Sequence, residues 1–515
     1  MSHTLVDTLV LKLTALLEQI GATADNHLWL GYSGGMDSEL LAYTLARFRQ
    51  THPKTPYQIS LVHVHHGLSC NADAWAAHCR QRAEHYGLNF VLRKVQLELG
   101  PRVSIEAEAR RARYQAIAEL LNPGDILLTA HHQDDQLETL LLALKRGQGP
   151  KGLAAMGQAQ HLALISRAEG APCWQLRPML DSSRAQIEQA VASLELPYIN
   201  DESNQDTQYD RNFLRAEVIP VLKQRWPSIA TTASRSAALC AEQQLLLDEV
   251  SAEKLQPLLG RCRFSGVRVL DSAGLKVLSP QWQAQLLRQF IQMQRLPLPA
   301  QVQLQQALAQ LLDAREDAQL ELSFKGLLLK RYGQQIYAMA PLPGAAFQLL
   351  DGVGSVEVDV AAKPSKLTLS TKQLQALSQG QSLSVGLASP WQRLELTLAD
   401  SGPRVALAQV MAPQLASLSA SIGAKVQPSD TAAAPELVMG LKGSYRCQPH
   451  NRDKGRELKK LWHELGVPPW LRDRVPLLMQ NGRLLALAGG FVERSALASD
   501  SEPGIVLKLV AEATS

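Results

Sequence analysis

The first 220 or so residues alternate short apolar runs with longer stretches of helical period. "HLWLGY" (27–32), "QISLVHV" (58–64), "NFVLRKV" (89–95), "DILLTA" (125–130) and "WQLRPML" (174–180) have strand length. Helical stretches separate them, at Glu39 to Gln50, Ala72 to Tyr86, Ser104 to Leu121, "DDQLETLLLALKR" (134–146) and, after the last strand, Ser183 to Leu194. This alternation predicts βαβ units on a doubly wound parallel sheet, an α/β fold, over residues 1–226. Ligands of such sheets bind beyond the carboxyl ends of the strands. From 227 to 345 the pattern predicts a helical domain. Trp282, Leu286, Leu287, Phe290 and Ile291 form its core-facing stripe, and "GLLLKRYGQQIYAM" (326–339) is a strand-like end. Residues 346–436 are rich in Ser, Ala, Gln and Gly and read as an insertion, with "SLSASIGAKVQPSDTAAAPE" (417–436) as a flexible linker. Residues 437–515 read as a small α+β domain.

Composition narrows the class. Hydrophobic residues make up 46% and charged residues 19%, an ordinary globular balance. The net charge of +4 is mild, so a nucleic-acid surface must come from local clustering. The six cysteines are scattered without a C-x-x-C pair, which argues against a zinc ribbon, a thioredoxin-like site or a disulfide framework. Reduced thiols fit a cytosol. The N-terminal stretch is amphipathic, interrupted by Asp7, Lys12 and Glu18, and unlike a signal peptide. No run approaches the roughly 20 apolar residues of a membrane span. A cytoplasmic protein with no membrane partner is expected.

Chemistry concentrates at the predicted strand ends. After the first strand comes "SGGMDS", Ser33 to Ser38. Gly34 and Gly35 permit positive φ and close backbone approach, and the following helix points its positive end at the same place. Ser33 and Ser38 add hydroxyls, so the turn suits phosphate or pyrophosphate. A plain strand-to-helix turn with an Asp/Ser cap is the alternative. Neither a Walker A loop nor G-x-G-x-x-G is present. A Cβ at Gly34 is expected to block the phosphate and leave folding intact. After the second strand, His63 and His65 share a face, either as a metal pair or as a histidine-rich strand end turned by Gly67. After the fourth, His132, Asp134, Asp135 and Glu138 open a helix. They suit Mg²⁺ held through carboxylates and water, or acids complementing the helix dipole. Glu106, Arg110 and Arg113 line one helical face, as a surface ion-pair row or as part of a site. "NDESNQDTQYDRNFLR" (200–215) is a polar loop with Asp201, Asn204 and Asp206, followed by Arg211 and Arg215 on a helix. Between Lys442 and Arg474 nine Lys/Arg face four Asp/Glu, with His450, Trp462, His463 and Trp470 interleaved. That is either a solvated face or an RNA surface with stacking aromatics.

The S-G-G-M-D-S turn on such a sheet resembles the PP-loop ATP pyrophosphatases. Within them the chain resembles the tRNA(Ile)-lysidine synthases at both ends and weakly in the helical middle; only the insertion departs. The matching segments are H-V-x-H-G-L, A-x-H-x-D-D-Q-x-E-T, E-A-x-A-R-x-x-R-Y, D-x-S-N-x-D-x-x-Y-x-R-N-x-x-R and L-K-K-x-W-x-E-L-G-V-P-P-W-L-R-D. The resemblance implies that ATP adenylates C2 of the wobble cytidine of tRNA(Ile) with a CAU anticodon, and that free L-lysine then displaces AMP. It implies ATP held by Ser33, Gly34, Gly35, Met36, Asp37, Ser38 and His63. Mg²⁺ would lie on Asp37, Asp134 and Asp135. Catalysis would rest on Asp37, Arg113, His132, Asp135, Glu138, Asn204 and Arg211, with His132 or Glu138 taking the lysine proton. The helical middle would bind tRNA. Arg215, Lys459, Lys460 and Arg472 would contact it, the last three in a tRNA-recognition domain over 437–515. A homodimer stays open. The rival readings are a PP-loop tRNA thiolase, which needs a sulfur-carrying cysteine pair that the sequence lacks, and a non-catalytic RNA-binding protein.

Overall fold

The computed structural model describes residues 4–511 apart from 54–56, 68, 99–104, 163–171, 201, 203–205, 316–319, 343–346, 350–365, 388–390 and 412–432. The chain forms two compact units, Met1–Glu249 and Val250–Ser515.

The first unit carries a six-stranded sheet. Its strands are β1 (Leu28–Gly31), β2 (Ile59–His65), β3 (Asn89–Lys94), β4 (Ile126–Leu128), β5 (Ala159–His161) and β6 (Trp174–Leu176), in the order β3-β2-β1-β4-β6-β5. Five strands are parallel as expected, while β5 pairs antiparallel with β6 at the edge. Its three residues, AQH, are too short and polar to announce a strand. The connecting helices are α1 (Leu5–Gln19), α2 (Met36–Thr51), α3 (Ala72–Tyr86), α4 (Ile105–Ala118), α5 (Gln133–Lys145), α6 (Pro150–Leu153) and α7 (Arg184–Ser193). Strand order reverses between β1 and β4, which flank each other although two strands separate them in sequence. The loops after β1 and β4 therefore open side by side, where such sheets bind ligands.

The sheet is held from beneath by fully buried Leu28, Leu30, Leu40, Leu41, Leu45 and Leu61. The amphipathic N-terminus supplies α1, with Leu9, Leu13, Leu16 and Leu17 inward. One charge breaks this apolar layer. Glu39, in the first turn of α2, is 0% exposed. It accepts from Arg82 Nε (2.8 Å), from the Tyr86 hydroxyl (2.6 Å) and from the hydroxyl of Tyr32, the residue just before the glycine turn. Removing one partner of a buried pair of this kind costs about 3–5 kcal/mol, so the entry to the turn is rigidly tied to α3.

In the second unit, 259–339 is α+β rather than helical. The stripe residues Leu286, Leu287, Phe290 and Ile291 are fully buried, on a helix over Pro280–Met293. The helices pack on a five-stranded antiparallel sheet, of which "GLLLKRYGQQIYAM" forms the hairpin Leu327–Tyr332 and Gln335–Met339. The expected insertion is not a separate piece. Trp391–Ala399 pairs along its length with Gly504–Ala511, and Glu436–Val438 lies between Lys366–Thr368 and Leu477–Gln480. Residues 366–411 and 433–511 thus share two sheets and one core. Most of the expected linker, 417–432, lies outside the described residues.

Candidate active site

The turn after β1 has the backbone its sequence requires. Gly34 sits at φ +80°, and Gly35 is the N-cap of α2 with no side chain to satisfy the first amides. These amides and the helix dipole face the turn, as an anion site needs. Ser33 Oγ and Ser38 Oγ lie 3.1 Å apart, and Ser33 Oγ accepts from Gly35 N–H (3.3 Å). Met36 and Ser38 are buried beneath. A Cβ on Gly34 would stand 2.5 Å from Ile199 Cδ1 and 2.8 Å from Cys79 Sγ. The glycine is therefore required by packing under the turn as well as by φ, and the expectation that a side chain there spares folding is corrected. His63 is buried with Nδ1 2.9 Å from the Tyr32 carbonyl, which braces the same turn, and burial lowers its pKa. Among the described residues no group of three or more His, Cys, Asp or Glu could hold a metal ion, so His63 and His65 are not joined by a third such ligand.

Across the β1–β4 seam, His132 is the N-cap of α5. Its Nδ1 accepts from Asp134 N–H (3.2 Å), and Asp135 Oδ2 accepts from His132 N–H (2.9 Å). With Nδ1 engaged as acceptor, the neutral ring carries its proton on Nε2. That nitrogen lies 3.8 Å from Asp37 Oδ1 and 3.6 Å from Asp135 Oδ2, so His132 links the two helix starts. Burial raises the pKa of Asp37, against the opposing pull of His132 and Arg184. Asp135 is also penalised by burial, but His132, His131 and Arg215 outweigh it and its pKa falls. Arg184 NH1 reaches Asp37 at 3.3 Å.

Asp134 parts from its neighbour. Successive helical residues point about 100° apart, and its carboxylate goes to Lys223 instead. The expected three-carboxylate set reduces to Asp37 and Asp135. Glu138, one turn on, is 1% exposed and raised in pKa by burial. Arg215 bonds both Glu138 and Asp135, the latter at 2.8 Å. It reaches them from a widened π turn, Leu214–Val218. Arg215 therefore belongs to the acidic wall rather than to an RNA-facing row. Arg211, on the short helix before it, lies within electrostatic reach of Arg113, His131 and Glu138. Arg113 is solvent-accessible yet surrounded by protein, and burial lowers its pKa, with Arg110 and Arg211 adding to the effect. Asn204 and Asp201 lie outside the described residues. No motif singles out Arg184 or Lys223; their roles appear only when α7 and the 219–225 helix pack against the site.

In the basic C-terminal segment Lys459 and Lys460 are exposed on the helix Leu458–Glu464, with Lys459 Nζ 3.2 Å from Glu457. Arg472 Nε donates to the Val467 carbonyl (3.2 Å). The two tryptophans do not offer stacking faces. Trp462 is core, and Trp470 packs edge-on to Tyr332 and Tyr337 under Lys330.

A parallel sheet with an unsatisfied helix start and a glycine turn at its switch point defines an ATP-using enzyme of the PP-loop class, and the PP-loop domain model matches residues 6–222. The models of the TilS substrate binding domain and the TilS substrate C-terminal domain match residues 270–337 and 438–509. The tRNA(Ile)-lysidine synthase of Shewanella oneidensis is 47% identical over 489 residues, 95% of this chain and 96% of that one. Those of Yersinia pestis and Escherichia coli O157:H7 are each 36% identical, covering 95% and 92% of this chain and 95% and 94% of theirs. The chain belongs to the tRNA(Ile)-lysidine synthase family.

Proposed function

We propose how this chain's residues carry out the family's reaction. The chain is a ligase that forms lysidine on tRNA(Ile) with ATP. The observation that carries the reading is the meeting of the Gly34 turn with the His132–Asp135 helix start, Asp37 and Asp135 lying on either side of His132. The turn amides, Ser33 and Ser38 take the pyrophosphate portion of ATP, with His63 and Met36 supporting. O2 of the wobble cytidine attacks the α-phosphorus, and the bond to pyrophosphate breaks. Stabilising that leaving charge by preorganised amides is the largest contribution expected from the turn. Asp37 and Asp135, two carboxylates at adjacent helix starts, are the donor set Mg²⁺ favours beside phosphates. Bound there, it would neutralise charge on the leaving group.

L-lysine then attacks C2 through its ε-amine, and AMP leaves with the oxygen. At pH 7 about one lysine in 2,500 carries a neutral amine, so an acceptor must take the proton. His132 is ill suited, its free nitrogen already bearing hydrogen. Glu138 Oε2 is a buried acceptor with no partner among the described residues, and burial raises its proton affinity. We assign it the proton, with Arg215 orienting it and Arg113 and Arg211 facing the developing negative charge. Lys459, Lys460 and Arg472 contact the tRNA backbone. Reaction occurs in the cytoplasm; among the described residues no helix is long and apolar enough to cross a membrane. Incubating unmodified tRNA(Ile), ATP and lysine, then analysing nucleosides, tests the whole. Release of AMP without a lysine-bearing cytidine would reject it.

A further inference from the structure

Beside the acidic wall, the same end of the sheet carries arginines that have no carboxylate partner among the described residues. Arg177, just beyond β6, is 4% exposed. Its NH1 donates to the Gly157 carbonyl (2.7 Å) and Gln160 Oε1 (2.9 Å), and its NH2 to Gln175 Oε1 (2.8 Å). All three acceptors are neutral, and its Nε is buried without a partner. Gln175 Nε2 in turn donates to the hydroxyls of Tyr114 and Thr129, both at 3.1 Å, and Thr129 Oγ1 lies 2.9 Å from His131 Nδ1. Arg110 lies over the Tyr114 ring, 5.0 Å from its centroid. Among the described residues neither Arg110 nor Arg113 has a carboxylate or hydrogen-bond partner. Both ring nitrogens of His66, just beyond β2, are buried and have no partner among the described residues. Only Arg177 is buried, and the exposed Arg110 and Arg113 add like charge beside it; a cluster of like charges without acids is relieved by an anion.

We propose that Arg110, with Arg113 beside it and the buried Arg177 adding its field, forms a phosphate subsite for the anticodon-loop backbone next to the wobble cytidine. The inference rests on tRNA being the substrate. The mutual field is visible in the side chains themselves. Burial and then Arg110 push Arg177 down to about 10, while Tyr114 opposes. Burial takes His131 down to about 3, with Arg177, Arg110 and Arg211 adding and only Asp135 opposing. Pyrophosphate already has the Gly34 turn. One lysine carboxylate would match a single cation, whereas the phosphates flanking a flipped-in nucleotide match several.

The test uses the full chain with Arg110→Gln, an exposed position whose only aromatic contact is Tyr114. Affinity for unmodified tRNA(Ile) is measured across salt concentrations, with KM for tRNA, lysine and ATP from lysidine formation. Losing one phosphate contact should reduce the salt slope by about 0.7, so the wild-type advantage shrinks about 2.6-fold from about 50 to about 200 mM salt. KM for tRNA should rise, with those for ATP and lysine unchanged. An unchanged slope and affinity would overturn the subsite, as would a rise confined to lysine KM (a carboxylate site) or to ATP KM (part of the nucleotide site). Wild-type protein is the control: if it makes no lysidine, the underlying reading fails instead.

Discussion

Gly34 and Gly35 are adjacent, yet replacing each by alanine should have opposite consequences. At Gly34 a side chain meets two penalties. The φ of +80° costs an L-residue about 1–2 kcal/mol. A Cβ 2.5 Å from Ile199 Cδ1 and 2.8 Å from Cys79 Sγ overpacks the layer under the turn, adding about 1–3 kcal/mol. The sum, about 2–5 kcal/mol, is a large share of a stability of about 5–15 kcal/mol. At Gly35 φ is −72°, and the nearest atoms to a new Cβ are Ser33 Oγ at 3.4 Å and the Ile199 carbonyl at 3.9 Å, ordinary contacts. Gly35→Ala should therefore fold normally and place its methyl in the phosphate turn. Urea denaturation and pyrophosphate release, measured on both variants, separate the effects. Gly34→Ala should lower the midpoint, and adding Ile199→Ala should restore part of it by removing the closest atom. Gly35→Ala should keep the midpoint and lose pyrophosphate release. A wild-type midpoint for Gly34→Ala would refute the packing argument; wild-type turnover by Gly35→Ala would refute the phosphate turn.

Two further outcomes follow from charge. His66 is held down to about 4, chiefly by burial and then by Arg113, so it is neutral in the fold but titrates near 6.5 when unfolded. Its contribution to stability is complete above about 6.5 and is lost as pH falls toward 4; His66→Gln should flatten that limb by about 1–2 kcal/mol after allowing for water at the ring, and identical pH profiles would refute this. Replacing Lys459 and Lys460 by Ala should weaken tRNA binding mainly at low salt and leave ATP binding unchanged, whereas an unaltered salt slope would make this helix a merely solvated face.

What the sequence made legible has a local cause. Each of the first four strands is an apolar run beside a clear helical period, and the glycine turn and His132 declare themselves through short-range spacing. What stayed hidden depends on phase and distance. Asp134 and Asp135 look equivalent as neighbours, but helix geometry sends one to Lys223 and the other to Arg215. Trp462 and Trp470 look like stacking residues because they sit among cations, yet Trp462 is core and Trp470, half-buried, packs edge-on against Tyr332 and Tyr337. The pairing of Trp391–Ala399 with Gly504–Ala511 spans about a hundred residues, and a Ser- and Gln-rich segment gives no local sign of it.

On the reading proposed above, the two walls also explain why the incoming lysine does not need a strong base in open solvent. Free lysine arrives as a cation, and the basic wall of Arg110, Arg113, Arg177 and Arg211 repels it. The acidic wall attracts it, and Arg184, Lys223 and Arg215 temper that wall without neutralising it. There the ammonium meets Glu138, whose burial favours the protonated form. Attraction and proton transfer thus share residues: of the carboxylates that draw the cation in, burial disfavours the anions of Asp37 and Glu138, whereas Asp135 stays ionised. In the proposed subsite, RNA phosphates would balance the field that otherwise hinders the loss of AMP. On this arrangement, Glu138→Gln should spare adenylation and pyrophosphate release but stall lysine transfer, and raising pH should partly rescue it by supplying neutral amine. Equal loss of both half-reactions, with no rescue at high pH, would move the proton-accepting role elsewhere.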